Sequence, residues 1–507
     1  MTRLSEAGER NRVGGAVWIA AAVLLLLLHL FRNGSQIADR ELGLDEAWTY
    51  YVASRPLLTN LTLPITYHAQ PPLYYLILHA LLRVNGAEWF LRGFSWLAIL
   101  GLLGFVLRFL TELNPLARVF LCAVLVTHEI TRYLAQELRP YALSTLSSFV
   151  ATILFVRLLG RPGRRAALAY GAAALVSLYT FAFDVWVFAA HVLWLAVTAA
   201  WQSRGGWRGA LRRHSAAALS VTGVALLYLP YLVLAWHWHG ATGAPEFSGS
   251  LQKIVHPGYS QALRYFLGFG LSPVAAWMTI ACVLGGIFAE LRRGNATVLL
   301  VAAIILGQVV FVQAFLYGRS SVANRYYTPV FPLFWFLVSV GFHHLIPRPP
   351  KLVWVVVLPA LALGAGTLAF PFFANAARPV PRSEWRQVRD ALAAVPGRKV
   401  VLFDYGFEAQ MLEYEARDDR DMVIKSKRQP LWQGFPQHLQ AESLEPEDVE
   451  RTIEGESAAD CFFYFIGRYF VDRGPSSPYF SVFVPAMNRR GYEAIPFFGS
   501  GHGFCRP

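Results

Sequence analysis

Apolar runs long enough to cross a bilayer recur along this chain, and they decide what it can fold into. Spanning about 30 Å of hydrocarbon takes roughly 20 helical residues. Runs that meet this occur at 13–31, 89–109, 117–134, 140–158, 166–183, 184–201, 215–236, 273–290, 296–316, 328–346 and 351–372, which makes about eleven spans. Hydrophobic residues make up 55% of the chain and charged residues 15%, and the mean hydropathy is +0.40. A soluble globular domain is therefore excluded. The expected fold class is an α-helical polytopic membrane protein. Residues 13–31 lack a small-residue cleavage site and read as a retained first span rather than a signal peptide.

Loop charge sets the expected orientation. The formal charge of +13 would suit a nucleic-acid partner if it formed a patch, but Lys and Arg are dispersed in short clusters between the apolar runs, so no nucleic acid is expected. With the N-terminus in the cytoplasm, the inner loops hold Arg157 to Arg165, Arg204 to Arg213, Arg292-Arg293 and Arg348 to Lys351. Each is compact and basic, as the positive-inside rule requires. Shifting the count by one span would scatter these clusters to both sides. Three longer segments then fall outside: 32–88, 237–272 and everything after 373. Within 32–88, Pro71-Pro72 opens a helix too short to span, which suits an interfacial position. Tyr259 to Phe269, within 237–272, has the same character.

From 383 onward the pattern changes. Ser383 to Ala394 opens like a capping box and has helical spacing. Lys399 to Asp404, Met422 to Ile424 and Cys461 to Ile466 read as strands, with a helix expected over Glu408 to Ala416. This alternation predicts a small extracytoplasmic α/β domain over 373–507 behind a transmembrane domain over 1–372. Cys122 and Cys282 lie in apolar runs and read as small core residues. Cys461 and Cys505 pair if the C-terminal segment meets an oxidising compartment, and stay separate thiols otherwise; their spacing leaves both open.

The outer side collects a polar set. Asp45 and Glu46 stand together in the first outer loop, followed by His68, Gln70, Tyr74 and Tyr75. Gln136, Glu137, Arg139 and Tyr141 lie at the turn between the third and fourth spans, Asp184 between the fifth and sixth, and Arg319 and Arg325-Tyr326-Tyr327 before the tenth. Carboxylates at a membrane surface must be solvated, paired or reactive. A carboxylate can take the proton of an attacking hydroxyl, and arginines can hold a phosphate bidentately. A lipid-phosphate-linked sugar offers both a carbon to attack and a phosphate to expel. Asp184 stands either beside such a donor or as a hydrogen-bonded turn residue. His128 and Glu129 read as a structural pair with each other or with Arg132. His237, His239 and His256 could be offered as metal ligands, but two histidines at i, i+2 near an interface are weak evidence for a site.

Four of these stretches resemble the GT-C type membrane glycosyltransferases, specifically the bacterial family 39-like relatives of dolichyl-phosphate-mannose protein mannosyltransferases. Leu44-Asp45-Glu46-Ala47 resembles their acidic pair, and His68-Ala-Gln-Pro71-Pro72-Leu-Tyr74-Tyr75 their Pro-Pro-Leu-Tyr segment. Ala135-Gln136-Glu137-Leu-Arg139-Pro140-Tyr141 resembles their Gln-Glu-x-Arg-x-Tyr turn, and Arg325-Tyr326-Tyr327-x-Pro329 their Arg-Tyr motif. The match in order runs over roughly 10–375, with Ala-Gln separating His68 from Pro71 where many relatives have a tighter His-Pro-Pro. The resemblance implies a GT-C fold and transfer of a hexosyl or pentosyl group from a polyprenyl-phosphate donor to a hydroxyl acceptor, usually with inversion. It implies Asp45 as general base, with Glu46 supporting it or orienting the acceptor. Arg139 and Arg325 would hold the donor phosphate with Tyr141 and Tyr326 nearby; His68, Gln70, Tyr74, Gln136, Glu137 and Asp184 would line the substrate site. Some relatives bind a divalent metal near the acidic loop. The implied partners are the lipid-linked donor, membrane lipids, and an acceptor glycan, lipid or protein.

Two other classes compete. A transporter or flippase for a lipid-linked substrate would place charges deep in several helices and show related halves, whereas here the ionisable groups crowd one side. A non-catalytic membrane protein with a partner-binding C-terminal domain gives no reason for the acidic pair or the Gln-Glu-Leu-Arg-Pro-Tyr turn.

Overall fold

Among the described residues, those up to Leu345 are mostly helical, and those from Lys399 onward include the strands of a sheet. The computed structural model describes residues 23–30, 34, 37, 44–203, 207–240, 266–267, 273–316, 323–345, 384–403, 412, 416, 419, 421–426, 446–465, 479–495 and 501–507. The expected span 351–372 lies outside them, and the first span is described as helical over 23–30. The chain divides into two compact units, one made of Met1–Ala38 with Val52–Pro379, the other of Asp39–Tyr51 with Val380–Pro507.

In the first unit, the segment before the second apolar run folds into short helices: α1 (Leu44–Ala53, which begins in the other unit), α2 (Leu57–His68) and α3 (Leu73–Leu82). Long helices come after these as α4 (Glu88–Phe109), α7 (Tyr141–Gly160), α8 (Arg164–Thr180), α9 (Val185–Ser203) and α10 (Trp207–Gly240), then α11 (Pro273–Arg292), α12 (Thr297–Leu316) and α13 (Phe331–Leu345). Among the described residues, four helices are long and apolar enough to cross a membrane: Glu88–Phe109, Tyr141–Gly160, Ala182–Trp201 and His214–His237. Leu193, Val197 and Trp201 on one of these, and Leu219, Leu226 and Trp236 on another, point outward. Water would penalise such a surface, and lipid accepts it. The small polar residues point inward instead. Ser144, Ser147, Ser148 and Thr152 of α7 are buried, and Ser148 donates across to the Pro329 carbonyl at 2.9 Å. Small hydroxylated residues let helix backbones approach and bond to one another where no water competes.

Two expected spans are broken. The run 117–134 divides into α5 (Pro115–Thr127) and α6 (Glu129–Gln136) at an extended His128. Its Nδ1 accepts the Ile130 N–H at 3.2 Å and so caps the second helix, an alternative to helix continuation that removes an orphan donor. The run 328–346 begins in a 3-10 turn, Ala323–Val330, and becomes α-helical only at Phe331. Pro329 lacks the N–H that an α-helix would use.

α11 and α13 touch backbone to backbone. A Cβ on Gly341 would overlap the Cys282 carbonyl, and one on Gly286 would stand 2.6 Å from the Gly341 nitrogen. Only glycine fits that crossing.

The second unit contains a five-stranded sheet, β1 (Lys399–Phe403), β2 (Met422–Ser426), β3 (Cys461–Phe465), β4 (Glu493–Ile495) and β5 (Gly501–Cys505), in the order β2-β1-β3-β5-β4. β1 runs parallel to β2 and β3, while β5 is antiparallel to β3 and β4. Val401, Phe403, Phe463 and Phe465 face one cluster with Val388 and Leu392 of α14 (Glu384–Ala393). Val400, Leu402, Phe462 and Tyr464 face another with Val449 and Ile453 of α15 (Pro446–Gly455) and Met487 of α16 (Val484–Arg489). Burial on both faces is why these strands are continuously apolar rather than alternating. Gly397, at φ +83°, turns the chain into β1 against the Asp460 side chain, which accepts the Arg398 N–H at 2.7 Å. The register sets Cys461 opposite Cys505, and the two form a disulfide. Of the helix expected over Glu408 to Ala416, Leu412 is helical and Ala416 is in a turn, with the rest outside the described residues.

Candidate active site

The best-built part of the polar set is the turn joining α6 to α7. Gln136, Glu137 and Arg139 are only 5%, 6% and 9% exposed. Pro140 then starts α7 as its N-cap, which fixes the approach of the preceding charged residues. The Arg139 guanidinium lies over the Tyr141 ring at 5.6 Å and donates to its hydroxyl at 3.4 Å. Tyr141 meets Phe181 edge-on at 5.3 Å. Phe181 and Phe183 in turn flank Tyr326 at 6.4 Å and 4.4 Å. The structure thus gathers Arg139, Tyr141 and Tyr326 around one aromatic cluster at the helix ends. The Gln308 carboxamide holds this turn by donating to the Tyr326 carbonyl at 2.8 Å, and Gln313 donates to the Tyr327 hydroxyl. Arg319 and the side chain of Arg325 lie outside the described residues.

Asp184 sits on the 3-10 turn Ala182–Asp184, 1% exposed. Ser144 donates to one of its oxygens and Ser177 to the other, each at 2.7 Å. Both carboxylate oxygens are thereby matched to a donor, as a buried acid requires.

The Pro-Pro segment is anchored from several sides. Tyr74 and Tyr75 are fully buried, and the Tyr74 hydroxyl pairs with Ser95 at 3.2 Å. Asn60 donates to the Ala53 and Tyr75 carbonyls at 3.3 Å each. Ala69, between His68 and Gln70, has φ +49°, the one non-glycine residue with positive φ among those described. Gln70 keeps a carboxamide oxygen shut from solvent with no donor among the described residues. The side chain of His68 lies outside the described set.

Asp45 and Glu46 occupy the first turn of α1, where the helix dipole favours negative charge. Glu46 is buried and Asp45 half-buried. Thr49 bonds back to the Asp45 carbonyl at 2.8 Å, and Trp48 stacks on Tyr51 at 5.8 Å. The acidic pair belongs to the unit that contains the sheet, and the Arg139–Tyr326 cluster to the helical unit. Among the described residues no three His, Cys, Asp or Glu side chains gather as a metal site.

ArnT from Cupriavidus metallidurans in the apo state matches with a TM-score of 0.56 at 13% identity, covering 98% of this chain and 98% of that one. The same protein bound to undecaprenyl phosphate matches with a TM-score of 0.57 at 14% identity, covering 96% and 97%. The chain shares the fold of these two ArnT structures. No protein-family model matches the sequence, and no curated protein does. The shared fold extends over nearly the full chain.

Several further residues stand out that sequence pattern alone leaves inconspicuous. Arg92 is fully buried near the start of α4, ion-paired to Glu88 at 3.5 Å and bonded to the Ile37 carbonyl at 3.2 Å. Its one signal is Glu88-x-x-x-Arg92, a helical turn apart on an apolar helix. Ser144 and Ser177 carry no such signal, because a serine in a span is ordinary. Tyr231 is buried and reaches the Ala69 carbonyl from far along the chain, at 2.5 Å.

Proposed function

We propose that the chain is an inverting glycosyltransferase that moves a sugar from a polyprenyl-phosphate donor to a hydroxyl acceptor at the outer face of the cytoplasmic membrane. The observation that carries this reading is the full-length match to ArnT, one structure of which holds undecaprenyl phosphate. The buried Glu137 and Arg139 turn supports it, since charges kept out of water at a helix end need a purpose that repays their desolvation.

In the proposed step the acceptor oxygen attacks the anomeric carbon as the bond from that carbon to the phosphate oxygen breaks. Asp45 takes the acceptor proton as the new bond forms, and Glu46 orients the acceptor. The expelled polyprenyl phosphate keeps the bonding electron pair. Arg139 and Arg325 hold its oxygens; Tyr141 fixes the plane of the Arg139 guanidinium by lying beneath it, and Tyr326 packs against the same cluster. Gln70 offers an acceptor oxygen to a substrate hydroxyl, while His68, Tyr74, Gln136 and Glu137 shape the site, with Asp184 bracing its floor. A divalent cation at the acidic loop would take carboxylate oxygens, which Asp45 and Glu46 supply, and no step above is routed through it. In this reading the N-terminus lies in the cytoplasm and the C-terminal α/β domain outside, where it recognises the acceptor or covers the site.

Mass spectrometry of envelope glycolipids and glycans tests this in cells lacking the gene and complemented with the wild type or with Asp45→Asn. The expected result is one sugar missing from one envelope component, restored by the wild type and not by Asp45→Asn. Identical envelopes in all three strains would remove the reading.

A further inference from the structure

The turn Ala69-Gln70-Pro71-Pro72 is held in a conformation its own sequence does not favour. It closes α2 with a left-handed residue, the position where helices ordinarily carry glycine, yet the residue here is alanine. The Ala69 N–H bonds to the Ile65 carbonyl at 3.1 Å and the Gln70 N–H to the Pro64 carbonyl at 3.0 Å, so the closing bonds are made despite the Cβ. An L-residue other than glycine rarely stays left-handed unless its surroundings impose it.

What imposes it comes from α10. Tyr231 donates its hydroxyl to the Ala69 carbonyl. The Tyr231 ring lies 5.0 Å from that of Tyr228. Tyr179 of α8 packs edge-on against Tyr228 at 5.5 Å and donates to the Leu227 carbonyl at 2.6 Å, fixing that stretch of α10. Tyr228 and Tyr231 are both buried, so no water replaces either hydroxyl cheaply.

We infer that Tyr231 is a positioning residue for the candidate active site: its hydroxyl clamps Ala69 in the left-handed conformation and thereby sets where His68 and Gln70 stand. The inference rests on the transferase reading only for the role of that turn in binding the lipid-linked sugar; the clamp itself is a statement about the turn.

The test uses the full-length protein in detergent with four forms: wild type, Tyr231→Phe, Ala69→Gly and the double variant. Glycine adopts the left-handed conformation without a Cβ penalty, so Ala69→Gly should make the clamp dispensable. Two readouts are taken: hydrogen exchange of the amides of Ala69 and Gln70, and the KM and kcat for a polyprenyl-phosphate sugar in reconstituted membranes. Tyr231→Phe is expected to speed exchange of those amides about tenfold, the factor that one buried hydrogen bond supplies, and to raise KM by a similar factor with kcat little changed. The double variant should return both toward wild type. Unchanged exchange in Tyr231→Phe, or exchange that Ala69→Gly fails to restore, overturns the clamp. Restored exchange without restored KM overturns the positioning role. Faster exchange in a protein whose wild type transfers no sugar rejects the transferase reading and keeps the clamp.

Discussion

At the scale of single residues, burial separates polar groups that hold the fold from those positioned for chemistry. Asp184 is of the first kind in its contacts, because both oxygens accept from serines at 2.7 Å. Asp184→Ala should strand the Ser144 and Ser177 hydroxyls and lower stability by about 2–4 kcal/mol, read as a fall in the thermal midpoint of the detergent-solubilised protein. On the proposed reading Arg139 is of the second kind; its guanidinium rests on the Tyr141 face. Arg139→Lys keeps the charge and loses the planar stack over Tyr141, so donor affinity should drop about tenfold with the thermal midpoint little changed. Equal donor affinity would sink the phosphate role of Arg139. Much of this site is legible in the sequence. Gln136, Glu137, Arg139 and Tyr141 are conspicuous because charges rarely interrupt apolar runs, and Tyr326 is visible beside an arginine. Tyr231 and the two serines are not, since their roles come from partners brought together only by folding.

At the scale of elements, hydrophobicity predicts the positions of most long helices and misses the interruptions. The helices over Glu88–Phe109 and Tyr141–Gly160 lie within one or two residues of the expected runs. The break at His128 escapes because its cause is a side-chain cap inside an apolar stretch, invisible to a sliding average of hydropathy. The segment 32–88, expected to hold one short helix, contains three among its described residues, since their apolar residues serve packing against neighbours rather than spanning. The crossing of α11 and α13 yields a sharp expectation. Gly341→Val must push the helices apart where the Cys282 carbonyl now sits, costing about 1–3 kcal/mol. Gly285→Ala, which meets nothing within 4 Å, should be neutral or slightly stabilising. Similar thermal midpoints for Gly341→Val and the wild type would refute the close crossing.

At the scale of the whole molecule, two features of the second unit respond to its chemical surroundings. The Cys461–Cys505 disulfide closes a separation of 44 residues, so reduction should destabilise that unit by about 2–4 kcal/mol, seen as earlier loss of its unfolding transition in dithiothreitol. His502 packs on Tyr479 at 4.4 Å, and burial lowers its pKa below the ordinary 6.5. The folded form therefore prefers the neutral ring, and stability is full above about pH 6.5 and declines as the pH falls toward the lowered value. His502→Phe keeps the ring contact and should flatten that decline in a pH series of melting curves. The alternating pattern after 383 announces the sheet, and the three expected strands are found at Lys399–Phe403, Met422–Ser426 and Cys461–Phe465. β4 and β5 are hidden from a reading of the sequence because β4 is short, β5 (Gly501-His-Gly-Phe-Cys505) lacks an apolar run, and both are held by pairing along β3 and each other. The placement of Asp39–Tyr51 with the C-terminal residues is equally hidden, since contacts so distant in sequence leave no local pattern. At this scale the proposed function is that Asp45 acts as the base in sugar transfer from a polyprenyl phosphate. It is tested most directly by incubating isolated membranes, with either the wild type or Asp45→Asn, with a radiolabelled polyprenyl-phosphate sugar. Label should leave the lipid in the wild type, and its release should fall by roughly 10²–10⁴-fold in the variant, the range a general base supplies; equal release from both would contradict the account.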